Sequence, residues 1–328
     1  MRLATVGTSF ITEHFIAAAL KEGSFEVTTV YSRTLTKAKV LADQFNIPYI
    51  QDDYKALIHD PMIDVIYIAT PNDTHYKLAK EALEAHKHVI LEKPFVSHHK
   101  ELRELLEIAR AHDRYVFDAI IPMHLPNYPI LKEALSKVGQ LNLCNLSMVQ
   151  RSSRLNALLS GEEPAIFSLN HSGGALMDLG IYPISICVGL FGKPLEATYL
   201  CHKFSNGIDL SGVITMRYSD FIVVATIAKD STGLNFMTFS GDKGHILVDK
   251  TPSLISSISF VEKDKTPELA HPQDASPMIY EIKDFYEVIT HKDTDRYNAW
   301  MKLTSDAFEV VDECRKKADL VFTADREN

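Results

Sequence analysis

Over its first 120 residues the chain alternates short β-branched runs with amphipathic helical stretches, and this alternation narrows the possible folds more than any other feature. Parallel strands need a crossover of a dozen or more residues between them, and helices of that length cover both faces of the sheet they connect. The predicted strands are 2–6, 25–31, 65–69, 88–92 and 115–119, with a shorter one near Tyr49. Between them, Ala38, Leu41, Ala42 and Phe45 fall at helical spacing, with Thr34 placed to cap the helix and Asn46 to end it. Leu102, Leu105, Leu106 and Ala109 mark another helix after Ser97. The first half therefore reads as α/β, a doubly wound parallel sheet.

After Pro122 the alternation stops, and Pro126 and Pro129 punctuate a loop leading into a helix near 130–136. A chain of 328 residues fits two domains, so the boundary is placed here, as 1–121 and 122–328. Strand-like runs then follow one another over 141–150, 195–204, 210–218, 221–228, 234–240 and 245–248. Tyr218-Ser219-Asp220-Phe221 and Gly241-Asp242-Lys243-Gly244 read as hairpin turns, which makes these strands mostly antiparallel. A helix over 176–191 interrupts them, and two more near 280–290 and 296–318 close the chain. The second domain is expected to be α+β with a large open sheet. If such a sheet exposed rows like Ile214, Met216, Val223 and Ala225, a large apolar patch would face water. A homo-oligomer, as a dimer or a dimer of dimers built on that sheet, is therefore expected.

Charge and composition exclude several classes. A formal net charge of −9 repels phosphate backbones, and no basic stripe is interleaved with aromatics, so nucleic acid is not an expected partner. Cys144, Cys187, Cys201 and Cys314 are widely spaced, without a Cys-x-x-Cys pair, and read as reduced thiols. His86 and His88, or His98 and His99, stand beside surface residues and not beside carboxylates or thiolates, so no metal is expected. Met1 to Val6 meets Gly7 before an apolar signal core could form, and the longest apolar runs are strand-sized. A cytoplasmic location without membrane contact is expected.

Gly7 follows the first predicted strand and opens a helix, where a Rossmann fold makes its tight turn and where helix N–H groups hold a pyrophosphate. The G-x-G-x-x-G pattern stands here as Gly7-x-Ser9-x-x-Thr12, so the second glycine position carries a hydroxymethyl group. Either the Ser9 hydroxyl binds phosphate, or the loop only turns a strand into a helix. At the end of the second strand, where NAD-binding folds place an acid for the ribose 2′-hydroxyl, the chain has Ser32, Arg33 and Thr34. A guanidinium flanked by hydroxyls suits a 2′-phosphate. The alternative makes Arg33 a surface arginine and Thr34 a helix cap. Two further polar turns, Thr70-Pro71-Asn72-Asp73-Thr74-His75 and Glu92-Lys93-Pro94, follow strands at the edge where open α/β sheets bind ligands.

With these residues in place, the whole chain resembles the glucose-fructose oxidoreductase, inositol dehydrogenase and MocA family. The resemblance runs from the Gly7 loop through Thr70-Pro71-Asn72-x-x-His75 and Glu92-Lys93-Pro94 to the stretch from Gly173 to Tyr182. It implies an enzyme that moves a hydride between a nicotinamide cofactor and a small hydroxy or carbonyl compound. It also implies NAD(P) bound on the first domain; with the Ser32-Arg33-Thr34 reading, NADP is expected, with NAD possible, held by Gly7, Thr8, Ser9, Phe10, Ile11, Ser32, Arg33 and Thr34. Thr70, Pro71, Asn72, His75, Glu92, Lys93 and Pro94 complete that set. Lys93 and Asp178 are implied active-site residues. Many members carry His four residues after the Asp; Tyr182 stands there in this chain, as in the branch that contains glucose-fructose oxidoreductase and dihydrodiol dehydrogenase. That moves the expected substrate toward aldoses and vicinal diols, away from inositol.

Asp178 and Tyr182 are four apart on a predicted helix, so their side chains share one face. A bland alternative makes Asp178 an N-terminal helix charge and Tyr182 a core aromatic. The expected roles are Tyr182 as general acid/base, Lys93 as its electrostatic partner and Asp178 as the orienting residue. A sensor that binds the dinucleotide without turnover is the competing class; it needs no proton donor, and these three residues argue against it.

Overall fold

A computed structural model describes residues 1–263 and 266–326. The chain forms two compact units, Met1–Ile120 with Asp274–Lys302, and Ile121–Gln273 with Leu303–Asn328.

In the first unit, β1 (Arg2–Val6), β2 (Glu26–Tyr31), β3 (Tyr49–Gln51), β4 (Val65–Ile68), β5 (His88–Glu92) and β6 (Val116–Ala119) form one sheet ordered β3-β2-β1-β4-β5-β6. Every neighbouring pair is parallel. This is the strand order of a doubly wound dinucleotide fold. The connecting helices are α1 (Phe10–Glu22), α2 (Leu35–Phe45), α3 (Tyr54–His59), α4 (His75–Glu84) and α5 (His99–Ala111). Helix α2 ends at Asn46 in the left-handed region, φ 55°, as the sequence predicts. Tyr67 of β4 is fully buried and its ring stacks on Phe15 of α1 at 3.6 Å.

The expected single cut at residue 121 needs correction, because 274–302 returns to the first unit. The helix Met278–His291 buries Met278, Ile282, Phe285 and Val288 and packs on α1, while Phe285 stacks on Phe117 of β6 at 4.6 Å. Each such side chain contributes about 1.5–3 kcal/mol by leaving water. The stripe recurs at i, i+4, i+7 and i+10, as on any helix that covers a sheet; nothing in that pattern says which sheet it covers.

In the second unit, α6 (Asn127–Ala134) precedes β7 (Leu141–Val149), and α7 (Leu155–Leu159) and α8 (Ile181–Phe191) precede β8 (Glu196–Lys203). Then follow β9 (Asp209–Arg217), β10 (Ile222–Ala228), β11 (Phe236–Gly241), β12 (His245–Val248) and a short edge strand, β13 (Ser259–Val261), absent from the sequence reading. The order is β13-β12-β11-β7-β10-β9-β8, antiparallel throughout except for β7 with β10. Both expected hairpin turns are present: the Tyr218 N–H donates to the Phe221 carbonyl at 3.0 Å, and the Gly241 N–H to that of Gly244 at 2.9 Å.

The face of this sheet named in the sequence reading is also corrected. Ile214, Met216, Val223 and Ala225 are fully buried on the side that carries α8, not exposed. Gly180 lies so close to that side that a Cβ there would stand 3.1 Å from the side chains of Ile214 and Ile227. The opposite face carries Leu143, Leu200 and Ile222, which are 40%, 79% and 48% exposed, among Thr198, Thr215 and Thr226. In β10 both parities are largely apolar, so its hydrophobicity alone does not tell which one a helix covers, whereas β9 alternates Leu210, Ile214 and Met216 with Ser211, Thr215 and Arg217. Among the described residues no helix is long and apolar enough to cross a membrane.

Candidate functional site

Four of the turns singled out in the sequence stand at the carboxyl edge of the parallel sheet, after the adjacent strands β2, β1, β4 and β5. Gly7 opens the loop after β1 with φ 118°, and its N–H donates to the Tyr31 carbonyl at 3.2 Å. A Cβ at this position would lie 2.3 Å from the Ala69 carbonyl oxygen. Only glycine allows that approach between neighbouring strands. Thr8 is half-buried, Ile11 likewise, and Ser9 and Phe10 are exposed. Ser9 takes the cap position of α1 in extended conformation without a side-chain bond to the helix; its hydroxyl stands 3.5 Å from that of the fully buried Thr12. The second and third glycine positions are thus filled by a hydroxyl pair, one member exposed at the helix start. The N–H groups there and the Ser9 hydroxyl fit an anionic pyrophosphate.

Beyond β2, Ser32 is buried with its N–H on the Gln51 carbonyl at 3.1 Å, while Arg33 and Thr34 are exposed. Thr34 sits at the N-cap of α2 but makes no capping hydrogen bond. The bland reading of that threonine therefore loses its main support.

The turns after β4 and β5 are tied together by His75. Its ring is 1% exposed, with Nδ1 3.0 Å from the Pro94 carbonyl oxygen and Nε2 3.0 Å from that of Thr70. Burial pulls its pKa below the ordinary histidine value, opposed by those two carbonyls. The Thr70 hydroxyl is 2.7 Å from that of Thr74, which in turn donates to the Pro71 carbonyl at 2.7 Å, so Asn72 begins a fixed turn. Glu92 faces inward: one carboxylate oxygen accepts from the Tyr67 hydroxyl at 2.8 Å and the other from the Lys93 N–H at 3.1 Å. It positions the Lys93 backbone. The Lys93–Pro94 peptide is cis, and the Lys93 side chain is partly exposed.

In the second unit a π-turn, Leu176–Gly180, runs into α8 and carries Asp178; Tyr182 follows in the first turn of α8. Pro183 has no N–H for the Leu179 carbonyl, the condition under which an α-helix takes up an extra residue, and such turns concentrate at functional sites. Of residues 172–188, only Asp178 and Tyr182 are not buried. The two side chains therefore share the accessible face of this segment.

Two residues absent from the sequence reading hold this segment. Asp209, fully buried at the start of β9, accepts from the Leu176 N–H at 2.7 Å and the Tyr199 hydroxyl at 2.8 Å. Burial pushes its pKa up, against those two donors. Lys229, just past β10 and 5% exposed, forms an ion pair with Asp178. An isolated lysine closing an apolar strand was the available signal for it. Gly174, φ +102°, is the close neighbour of Asp209, since a Cβ there would lie 1.9 Å from Oδ1. Gly174→Ala is therefore expected to cost at least about 1–3 kcal/mol from the backbone alone. Urea unfolding measures it, and unchanged stability would contradict the contact. Among the described residues no group of three or more His, Cys, Asp or Glu could hold a metal ion.

Comparison with known proteins extends this picture. Residues 1–119 match the oxidoreductase family with an NAD-binding Rossmann fold, and residues 136–247 match the GFO/IDH/MocA C-terminal domain. The chain is 30% identical over 327 residues to the scyllo-inositol 2-dehydrogenase (NADP(+)) of Bacillus subtilis, covering 99% of each. It is 25% identical to the trans-1,2-dihydrobenzene-1,2-diol dehydrogenase of Mus musculus, again covering 99% of each. A 3-ketoreductase from Actinomadura kijaniata, solved with NADP and TDP-benzene, has the same fold, with a TM-score of 0.87 at 19% identity over 97% of this chain and 98% of that one. The chain belongs to the GFO/IDH/MocA family of oxidoreductases.

Proposed function

We propose that the protein is an NADP-dependent dehydrogenase or reductase acting on a secondary alcohol or its ketone in a sugar, cyclic polyol or vicinal diol. The observation that carries this reading is the pairing of Asp178 with Tyr182 on the one accessible face of an otherwise buried segment, in an oxidoreductase of this family. The names of the relatives support the substrate class: one acts on an inositol with NADP, the other on a cyclic trans-diol. Inositols therefore belong in the substrate panel beside aldoses and diols, although Tyr182 alone points away from them.

When bound, the nicotinamide accepts or returns the hydride. The chain's own residues do the rest. Gly7 to Ile11 would hold the pyrophosphate at the start of α1, and Ser32, Arg33 and Thr34 would hold the 2′-phosphate. His75 fixes the Thr70-Pro71-Asn72 turn to the turn of Lys93 and Pro94, and Glu92 fixes the Lys93 backbone. Tyr182 takes the hydroxyl proton as the hydride leaves, Lys93 supplies the positive charge that makes a tyrosine acidic enough, and Asp178 orients the substrate. The test is thermal stabilisation by NADPH against NADH, followed by absorbance at the nicotinamide band with aldoses, scyllo-inositol and vicinal diols. Stabilisation by neither dinucleotide would sink the reading.

Arg33→Ala removes a charge-assisted contact worth about 1.5–3 kcal/mol, so NADPH affinity is expected to fall roughly 10- to 150-fold with NADH nearly unaffected. Equal losses for both would remove the 2′-phosphate assignment.

The protein is further proposed to be a homo-oligomer through the open face of the second unit's sheet. Leu143, Leu200, Val213, Ile222 and Val224 lie there among threonines, with the Glu196–Arg217 ion pair at one margin. A sheet surface of this kind, apolar and threonine-rich with its charges paired at the margin, fits a second copy of itself. Light scattering at micromolar concentration is expected to give a dimer or tetramer, and Leu200→Lys a smaller species; a wild-type monomer would refute the assignment.

A further inference from the structure

The buried ion pair of Lys229 with Asp178 has chemistry that the function proposed above leaves unused. The Lys229 side chain is 6% exposed and that of Asp178 20% exposed. The Lys229 backbone is pinned from both sides: its N–H donates to the Leu210 carbonyl at 2.8 Å, and its carbonyl accepts from the Ser152 N–H at 2.8 Å. The ammonium also lies 5.9 Å from the centre of the Phe167 ring. Its position is thus set by the sheet, by an aromatic wall and by Asp178.

An ammonium has three donors, and among the described residues this one has a single hydrogen-bond partner, Asp178 Oδ2. Buried donors are as a rule satisfied, so the remaining two point to an acceptor supplied from outside the chain. Asp178, the carboxylate that holds this ammonium, lies on the accessible face shared with Tyr182. A carboxylate next to an ammonium presents one acceptor and one donor a few ångströms apart, the pattern that two oxygens on adjacent carbons satisfy together. An isolated hydroxyl would satisfy only one of the two.

We infer that Lys229 is a specificity-determining residue of the substrate site, donating to the oxygen next to the reacting carbon and so selecting vicinal diols and α-hydroxy ketones over isolated alcohols. This rests on the proposed dehydrogenase reading. The reaction itself is unchanged: the secondary alcohol loses a hydride to NADP+ and a proton to the protein, giving ketone, NADPH and one proton.

The test compares trans-1,2-cyclohexanediol with cyclohexanol, which share a ring and differ by the neighbouring hydroxyl. Wild type is expected to favour the diol in kcat/KM. In Lys229→Met that preference should fall about 10- to 100-fold, as expected for a charge-assisted hydrogen bond, with the loss carried mainly by KM. Lys229→Arg should recover part of it, since a guanidinium keeps both charge and donors. A purely structural ion pair would lower both rates together and leave the ratio unchanged, and that result overturns the inference. So does a wild type without diol preference. If wild type turns over neither compound, calorimetric binding of each to the NADP+ complex decides: diol selectivity that Lys229→Met abolishes supports the role, and its absence in wild type overturns it. Failure of NADPH to stabilise the protein would instead strike at the dehydrogenase reading, so the two failures are separable.

Discussion

Tyr182→Phe is expected to lower turnover by about 10²- to 10⁴-fold while NADPH still binds, because the phenol hydroxyl is assigned the proton transfer and its removal leaves no replacement on that face. A tyrosine titrates near pH 10 when unperturbed, and working as a base near pH 8 requires roughly 2.7 kcal/mol of differential stabilisation of the phenolate. An ammonium about 4 Å from a charge contributes on the order of 4 kcal/mol at an effective dielectric near 20, before desolvation, so one lysine suffices. Lys93 is proposed for that role, and Lys93→Met should move the rising limb of the pH–rate profile for alcohol oxidation to higher pH as well as reduce turnover. The rival assignment gives the proton to Lys93 itself and makes Tyr182 a hydrogen-bond donor to the carbonyl. If Tyr182→Phe keeps near-normal turnover and an unchanged pH profile while Lys93→Met is dead, the rival stands.

The extent to which these sites were legible in the sequence differs between the two units for a physical reason. In the first unit each functional turn sits at the end of a strand that announces itself by composition. A parallel sheet then brings Gly7, Ser32, Thr70 and Lys93 to one edge whatever the helices between them do. His75 could be named, but not its bridge between the Thr70 and Pro94 carbonyls, because that joins turns 19 and 5 residues away through a buried ring. In the second unit the four-residue spacing of Asp178 and Tyr182 was readable, but their neighbours were not. Asp209 lies 33 residues from Leu176, and Lys229 lies 51 from Asp178, contacts that follow from sheet register rather than local pattern. Parity failed for a similar reason. Val223 and Val224 of β10 are both acceptable on a covered face, and only the placement of α8 distinguishes them.

The same limit hid the residue with the strongest expected effect on stability. Glu281 is fully buried in the helix Met278–His291, on the face that also buries Met278, Ile282 and Phe285, and among the described residues neither of its carboxyl oxygens has a hydrogen-bond partner. Burial raises its pKa well above the ordinary glutamate value, and the neighbouring carboxylates Glu92, Asp118 and Asp284 raise it further. Glu92 of β5 and Asp118 of β6 are themselves buried, and the Tyr67 hydroxyl of β4 is bound to Glu92. Glu281 is therefore carried as a neutral acid in the folded protein and as a carboxylate in the unfolded chain above about pH 4.5. A raised carboxyl pKa means that the folded state binds the extra proton. The contribution of this group to stability is thus full below the unfolded value and declines as pH rises from there toward the folded value, by about 1.4 kcal/mol per pH unit. Glu281→Gln keeps the shape and removes the titration. The glutamine variant is expected to be more stable than wild type at pH 8, with the difference shrinking steadily toward pH 4.5. Urea unfolding midpoints from pH 5 to pH 9 measure it. A difference that stays constant across that range would show that Glu281 does not titrate between the folded and unfolded states, and would place the cost of this buried carboxyl in its missing hydrogen bonds instead.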